Sequence, residues 1–184
     1  MRVICISGKA RHGKDTVAEM LQNILWSRGN RVLLTHNADL LKFMCKNLFG
    51  WNGEKDERGR HILQYVGTDV IRAQEPDFWV DFIAKELELF SDQWDCALIP
   101  DCRFPNEIEK LKRAGHEVLH LRVCRPDCDA GLTDEQKAHP SETALDDVAP
   151  DYTICNDGTL VDLMSSSLQF VAAAFGHEFL NGGE

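Results

Sequence analysis

Apolar runs and helical stripes alternate along the whole chain. Val3 to Ile6 is a short continuous apolar run, the pattern of a strand buried on both faces. Val17, Met20, Leu21, Ile24 and Leu25 then recur at helical spacing and predict a core-facing helix to about Ser27. Arg28-Gly29-Asn30 ends that helix and turns the chain into a second strand over 31–36. Strand, helix and strand joined by a tight turn make a parallel unit. Leu40, Leu41, Met44, Leu48 and Phe49 predict one face of a helix that Gly50 stops, and the polar residues 52–60 read as a mobile loop. A helix from His61 to Arg72 would bury Ile62, Tyr65, Val66 and Ile71, with Gln64, Asp69 and Arg72 as its polar side. Pro76 breaks it, Asp77 reads as an N-cap, and the next helix would bury Trp79, Phe82, Ile83, Leu87 and Phe90.

The third strand, 95–101, ends on Asp101, and Phe104-Pro105 starts a helix over 106–114 with Glu107, Glu109, Lys110 and Lys112 outward. His116 to Val123 is a fourth strand. Residues 124–142 are polar, turn-rich and poor in core side chains, as suits a segment that closes over phosphates and excludes water. Arg122 and Arg125 flank its base, placed to neutralise transferring charge or to stack on a purine. Tyr152 to Cys155 is a short fifth strand. The Asn156-Asp157-Gly158-Thr159 turn caps a last helix with Leu160, Leu163, Met164, Leu168 and Val171 on its apolar face, and residues 177–184 read as frayed. The pattern is that of one α/β domain over residues 1–184, without repeats or linkers.

Composition narrows the class. At 43% hydrophobic and 27% charged the chain reads as an ordinary globular domain, and a net charge of −10 argues against a nucleic-acid or anionic-membrane surface. The seven cysteines are scattered. Cys5, Cys96, Cys124 and Cys155 fall in strand-like runs and read as small buried hydrophobes. Cys124, Cys128 and His139 lack the paired spacing of a zinc site. The chain enters a strand at once and has no apolar stretch of membrane-spanning length, so the expectation is a cytoplasmic protein with no signal peptide and no membrane partner.

Two stretches carry candidate chemistry. Gly8-Lys9-Ala10-Arg11-His12-Gly13-Lys14 follows the first strand and opens the first helix, which is the spacing and setting of a phosphate-binding loop. Its glycines let backbone N–H groups turn toward phosphate oxygens, the helix start adds its positive dipole end, and Lys14 reaches the β- and γ-phosphates as a point charge. Asp15 stands where a serine or threonine hydroxyl usually meets magnesium, and Thr16 follows it. A carboxylate is a hard oxygen ligand and can fill that place. In the second stretch, Asp101 sits at the carboxyl tip of a strand, where P-loop enzymes place the carboxylate that orients magnesium or its water. Arg103, two residues on, has the fork geometry for a phosphate. Asp39 and Lys42 lie beside the carboxyl end of the second strand, where open α/β sheets hold ligands.

Taken together, these pieces resemble a known family, the phage-type deoxynucleoside monophosphate kinases of the P-loop nucleoside monophosphate kinase superfamily. The matching segments are Gly8 to Thr16, Ala38-Asp-Leu-Leu-Lys with Leu48-Phe-Gly-Trp, and Leu63 to Arg72. Asp77-Phe-Trp-Val, Asp101-Cys-Arg-Phe-Pro-Asn-Glu, His139-Pro-Ser-Glu and Asn156-Asp-Gly-Thr-Leu follow in the family's order. The resemblance implies a three-layer αβα sandwich around a five-stranded parallel sheet of order 2-3-1-4-5. It also implies a helical acceptor-binding insertion at about 37–92 and a lid at about 125–146. The implied reaction moves the γ-phosphoryl group of ATP, with Mg2+, to a (deoxy)nucleoside monophosphate. Gly8, Arg11, His12, Gly13, Lys14, Asp15 and Thr16 would hold ATP, with Asp15 and Asp101 at magnesium. Lys42, Arg72 and Arg103 would hold the acceptor phosphate, with Asp39, Gln64, Asp69 and Trp79 nearby. Arg125 and Asn156 would bracket adenine. Lys14, Arg103, Asp101 and Arg125 would be the catalytic set. Cys102 stands where the family usually has valine, and His12 where it has a small residue. Another small-molecule P-loop kinase, such as a phosphomevalonate or dephospho-coenzyme A kinase, is the alternative, the former also having the Gly-Lys-Asp pattern, and a nucleotide-binding regulatory protein is the non-catalytic one. Whether the chain forms a homodimer is left open.

Overall fold

The computed structural model describes residues 1–126 and 128–176. In chain order the elements are β1 (Arg2–Ser7), α1 (Lys14–Trp26), β2 (Val32–Leu34), α2 (Ala38–Leu48), α3 (Glu57–Gln64) and a π-helical stretch (Tyr65–Arg72). Then come α4 (Phe78–Leu89), β3 (Cys96–Ile99), α5 (Pro105–Arg113), β4 (Glu117–Cys124), α6 (Asp134–Ala138), α7 (Pro140–Thr143), β5 (Tyr152–Cys155) and α8 (Leu160–Phe175). The strands form one parallel sheet of order β2-β3-β1-β4-β5, as the resemblance implied.

The central strand shows why two helical layers form. Side chains alternate across a strand, so Ile4 and Ile6 face one side and Val3 and Cys5 the other, all fully buried. On the first side Val17, Leu21 and Leu25 of α1 and Leu163, Phe170 and Val171 of α8 close the core. On the second side Val80, Ile83 and Leu87 of α4 and Ile108 and Leu111 of α5 do so. The result is an αβα sandwich whose strands all deliver their carboxyl ends, and the loops after them, to one edge.

A third, smaller core of Leu41, Cys45, Trp51, Val66 and Trp79 holds residues 37–92 together. Here the expected pattern needs correction. The polar stretch read as a loop is helical from Glu57 on, because the Asp56 carboxylate accepts a hydrogen bond from the Gly59 N–H at 2.7 Å. From Tyr65 the winding is π-helical, which rotates later side chains away from α-helical register. Tyr65 faces outward while Val66 is buried. Gly67 lies where an added Cβ would come within 2.6 Å of a Leu41 methyl, so α2 packs directly on this backbone.

Other helices also turn differently from expectation. Leu48 and Phe49 at the end of α2, Phe82 and Phe90 of the α4 region, and Leu160 and Leu168 of α8 are exposed, and Cys45 and Phe170 take inner positions. Asp77 occupies the N-cap position of α4 but makes no capping bond; its carboxylate accepts instead from Asn106 and Lys110 of α5. Thr159 does cap α8, accepting from the Asp162 N–H. Cys5 and Cys96 are buried as expected, but Cys155 is exposed at the end of the edge strand, its sulfur 2.9 Å from that of Cys124. Among the described residues no group of three or more His, Cys, Asp or Glu could hold a metal ion, and no helix is long and apolar enough to cross a membrane. The segment 177–184, expected to fray, lies outside the described residues.

Leu98 is fully buried on β3 between the sheet and α1. Leu98→Ala should lower unfolding free energy by about 2–5 kcal/mol in urea titration; a loss below about 1 kcal/mol would contradict this packing.

Candidate active site

The chain leaves β1 through a loop that folds back on the sheet. Gly8 has φ of 142°, and a Cβ there would lie 2.2 Å from the Val123 carbonyl oxygen, so only glycine lets the loop settle on β4. Gly13 has φ of 95° and packs under the Asn156 side-chain amide, which donates to the His12 carbonyl at 3.0 Å. Arg11 adopts φ of 61°, the left-handed region uncommon for a non-glycine residue. Lys14, first residue of α1, is buried and donates to the Gly8 and Lys9 carbonyls, each at 2.8 Å. Burial, with Arg103 nearby, pulls its amine down to about 8. His12 Nδ1 lies 3.2 Å from the Arg125 N–H and 3.4 Å from the Val123 carbonyl oxygen, and burial lowers the pKa of the ring.

A cleft of about 760 Å³ runs from this loop to residues 37–92. The structure brings Arg11, Lys14, Asp15, Lys42, Gln64, Arg72, Trp79, Asp101 and Arg103 onto it. Gly13, Thr16, Arg125 and Asn156 line a second cleft of about 380 Å³ that shares Arg11, Lys14 and Asp15 with the first. Asp39 and Asp69 line neither. Asp39 pairs with Lys42 at 2.9 Å and with His36 Nδ1 at 3.3 Å, and Asp69 lies 3.3 Å from His139 Nε2. Trp79 is wall rather than reader: it is 3% exposed, and its indole N–H donates to the Gly67 carbonyl. Arg122 is turned to the carbonyls of Leu145 and Val148, so it anchors that segment instead of facing a ligand.

The two carboxylates expected at magnesium differ. Asp15 projects, exposed, from the first turn of α1, and His36 beside it lowers its pKa while its own is raised by Asp15. Asp101 instead accepts the N–H groups of Asn37 and Ala38, each at 2.9 Å, and so ties the start of α2 to the end of β3. The residues present fit a nucleotide with its magnesium. The loop has no room for a Cβ at Gly8, its buried lysine supplies the cation, and Asp15 with Thr16 offers hard oxygen donors.

Arg72 and Arg103 are held by carboxylates that sequence reasoning did not place. Glu107, expected outward, is 1% exposed. Its Oε1 accepts from Arg72 Nη2 at 2.5 Å and its Oε2 from the Arg103 N–H at 2.7 Å. Burial pushes its pKa up, opposed by Arg72. The Arg72 guanidinium also stacks 3.9 Å over the Phe104 ring. Glu142 accepts from Arg103 Nη1 at 2.6 Å. Glu107 lies at the end of the Asp101–Glu107 segment and Glu142 in His139-Pro-Ser-Glu, so the motifs contained both without disclosing their inward turn.

The Lys14 amine sets a pH prediction. It is charged below about pH 8 in the free protein, and a bound phosphate favours the charged form. Magnesium–nucleotide affinity, followed by calorimetric titration, should hold level below about pH 8 and fall toward tenfold per unit above it. Affinity that stays flat to pH 10 would separate Lys14 from the phosphates.

A family model for deoxynucleotide monophosphate kinase matches residues 35–166. The phosphomevalonate kinase of Drosophila melanogaster is 31% identical over 92% of this chain and 97% of its own. The deoxynucleotide monophosphate kinase of Enterobacteria phage T4 is 31% identical over 58% of this chain and 42% of its own. Among solved structures, the Mycobacterium tuberculosis APS kinase bound to AMPPNP and APS has a TM-score of 0.56 at 12% identity, covering 98% of both chains, a likeness of fold. The protein is a P-loop small-molecule kinase. With a model matched across most of its length, the chain belongs to the deoxynucleotide monophosphate kinase family.

Proposed function

We propose that this protein transfers the γ-phosphoryl group of magnesium–ATP to a deoxynucleoside monophosphate. The observation that carries the phosphomonoester acceptor is that Arg72 and Arg103 line the same cleft as Lys14, each locked by a carboxylate. Two fixed guanidinium forks suit a dianionic phosphate better than any neutral acceptor. Nucleoside specificity draws support from the family model, whose 35–166 span includes the whole acceptor side of the cleft. It draws further support from Gln64 and Thr68, which offer an amide and a hydroxyl beside the apolar surfaces of Leu41, Leu63 and Phe104. A base needs polar edges to read and flat apolar sides to rest on.

A phosphate oxygen is already a nucleophile, so the reaction needs alignment and charge neutralisation more than a base. Lys14 would hold the transferring phosphoryl group from the ATP side and Arg103 from the acceptor side, while Arg72 fixes the acceptor phosphate. Asp15 and Thr16 would hold magnesium, which supplies charge neutralisation on the phosphates when bound. Arg125 and Asn156 bound the cleft on the side where the nucleoside of ATP would lie.

A second reading has its own support. Similarity to the Drosophila melanogaster phosphomevalonate kinase runs nearly end to end, over more of this chain than that to the phage enzyme. Lys42, Lys55 and Arg60 also line the acceptor cleft and would suit an acceptor carrying a carboxylate besides its phosphate. The chemistry is the same, and only the acceptor differs.

ADP release from magnesium–ATP, measured against deoxy- and ribonucleoside monophosphates and phosphomevalonate, separates the two. Release with one or a few deoxynucleotides is the expected result, whereas release with phosphomevalonate alone would replace this reading by the second. Lys14→Met should abolish turnover with whichever acceptor works. Arg103→Ala should lower kcat/KM for the acceptor by about 2–4 kcal/mol in transition-state stabilisation, and unchanged kinetics would remove Arg103 from the site.

A further inference from the structure

We propose that Glu142 is a positioning residue that clasps Arg103 to the phosphate loop and so sets the spacing between the two phosphate-holding walls. The inference rests on the proposed transfer between those walls. The Glu142 side chain is 8% exposed, and its two oxygens face different partners. Oε1 accepts from Arg103 Nη1 at 2.6 Å, and Oε2 accepts from the Ala10 N–H, in the crown of the loop, at 3.2 Å. One carboxylate thus ties the loop after β3 to the loop after β1.

The backbone around Glu142 repeats the connection. Its carbonyl accepts from Lys9 Nζ, the neighbouring Ser141 carbonyl accepts from Arg103 Nη1 at 3.2 Å, and Lys9 also pairs with Asp146. His139 reaches Asp69 on the 37–92 side, and Arg122 holds the far end through the Leu145 and Val148 carbonyls. Residues 139–148 are therefore a strap that touches the phosphate loop, Arg103 and the acceptor side, with Glu142 at its only double contact between loop and arginine among the described residues.

The electrostatics assign the role. Arg103 makes its described side-chain bonds through Nη1, so Nε and Nη2 remain to form a fork on a phosphate. An unrestrained arginine would lose rotamer entropy on being fixed by substrate, and the clasp removes much of that loss beforehand. The carboxylate also favours the charged form of Lys14. Both Glu142 oxygens already accept from donors, and a phosphate acceptor has no proton that must be taken, so the side chain acts through Arg103 and not on the reacting atoms.

The test is a mutant cycle with a second, turnover-independent readout. Glu142→Ala should lower kcat by roughly 30–300-fold with the KM for ATP changed less than about threefold, because misalignment acts on the transfer step. In an Arg103→Ala background the same change should cost less than about threefold, because its partner is already gone. An unaffected kcat in Glu142→Ala, or equal losses in both backgrounds, overturns the proposal. If Glu142→Ala gives no cooperative melting transition, Glu142→Gln, of the same shape with one acceptor oxygen kept, takes its place with an expected loss of roughly 3–30-fold. By nitrogen-15 NMR the restrained Arg103 guanidinium should show separate Nη signals, assigned by their absence in Arg103→Ala, that merge in the Glu142 variant. Unchanged Arg103 signals there overturn the clasp whatever the acceptor. A wild-type protein silent with every acceptor sinks the proposed function and leaves the NMR result to decide the clasp.

Discussion

A buried ammonium on two carbonyl oxygens holds the centre of this molecule. Lys14 closes the phosphate loop on itself by donating to Gly8 and Lys9, and the loop can close only because β4 presses its Val123 carbonyl against a glycine. Burial in such a place disfavours the charged amine, which is why its value falls to about 8. A bound anion relieves that cost. In the proposed function the same cation that shapes the loop would exchange carbonyl oxygens for phosphate oxygens. The parallel sheet makes this possible by ending β1, β3, β4 and β5 on one edge, so that loops distant in sequence meet there.

Around that loop the site is built from charges paired before any ligand arrives. Arg72 with Glu107 and Arg103 with Glu142 are largely shielded from water, with side-chain exposures of 10% and 2%, and 27% and 8%. Such pairs are poor sources of stability, because desolvation offsets their attraction. Their value here is geometric, since each carboxylate fixes where its guanidinium stands. Glu107 does this for both arginines at once, through the side chain of Arg72 and the backbone of Arg103.

The 37–92 segment carries its own small core and joins the sheet through Asp101, whose carboxylate receives the first N–H groups of α2. Its π-helical turn and the close approach at Gly67 set which side chains reach the cleft. The phosphate loop and the sheet are common ground for kinases with different acceptors.

The parallel sheet, its helical layers and the phosphate loop were legible in the chain because periodicity and glycine spacing are local properties. Val3 to Ile6 can be little but a doubly buried strand, and Gly8 to Lys14 between strand and helix is a physical mechanism written in order. The sequence by itself also placed Asp15, Arg72 and Arg103 on the list of site residues. It did not foresee that Asp101 caps α2, that Trp79 is wall, or that Phe82 and Leu160 face outward. Nor did it foresee Glu107 and Glu142 as the holders of the two arginines. Whether a charged side chain on a helix turns in or out depends on what partner stands across the gap. For Glu107 that partner lies 35 residues away and for Glu142 39, a distance only the tertiary structure closes.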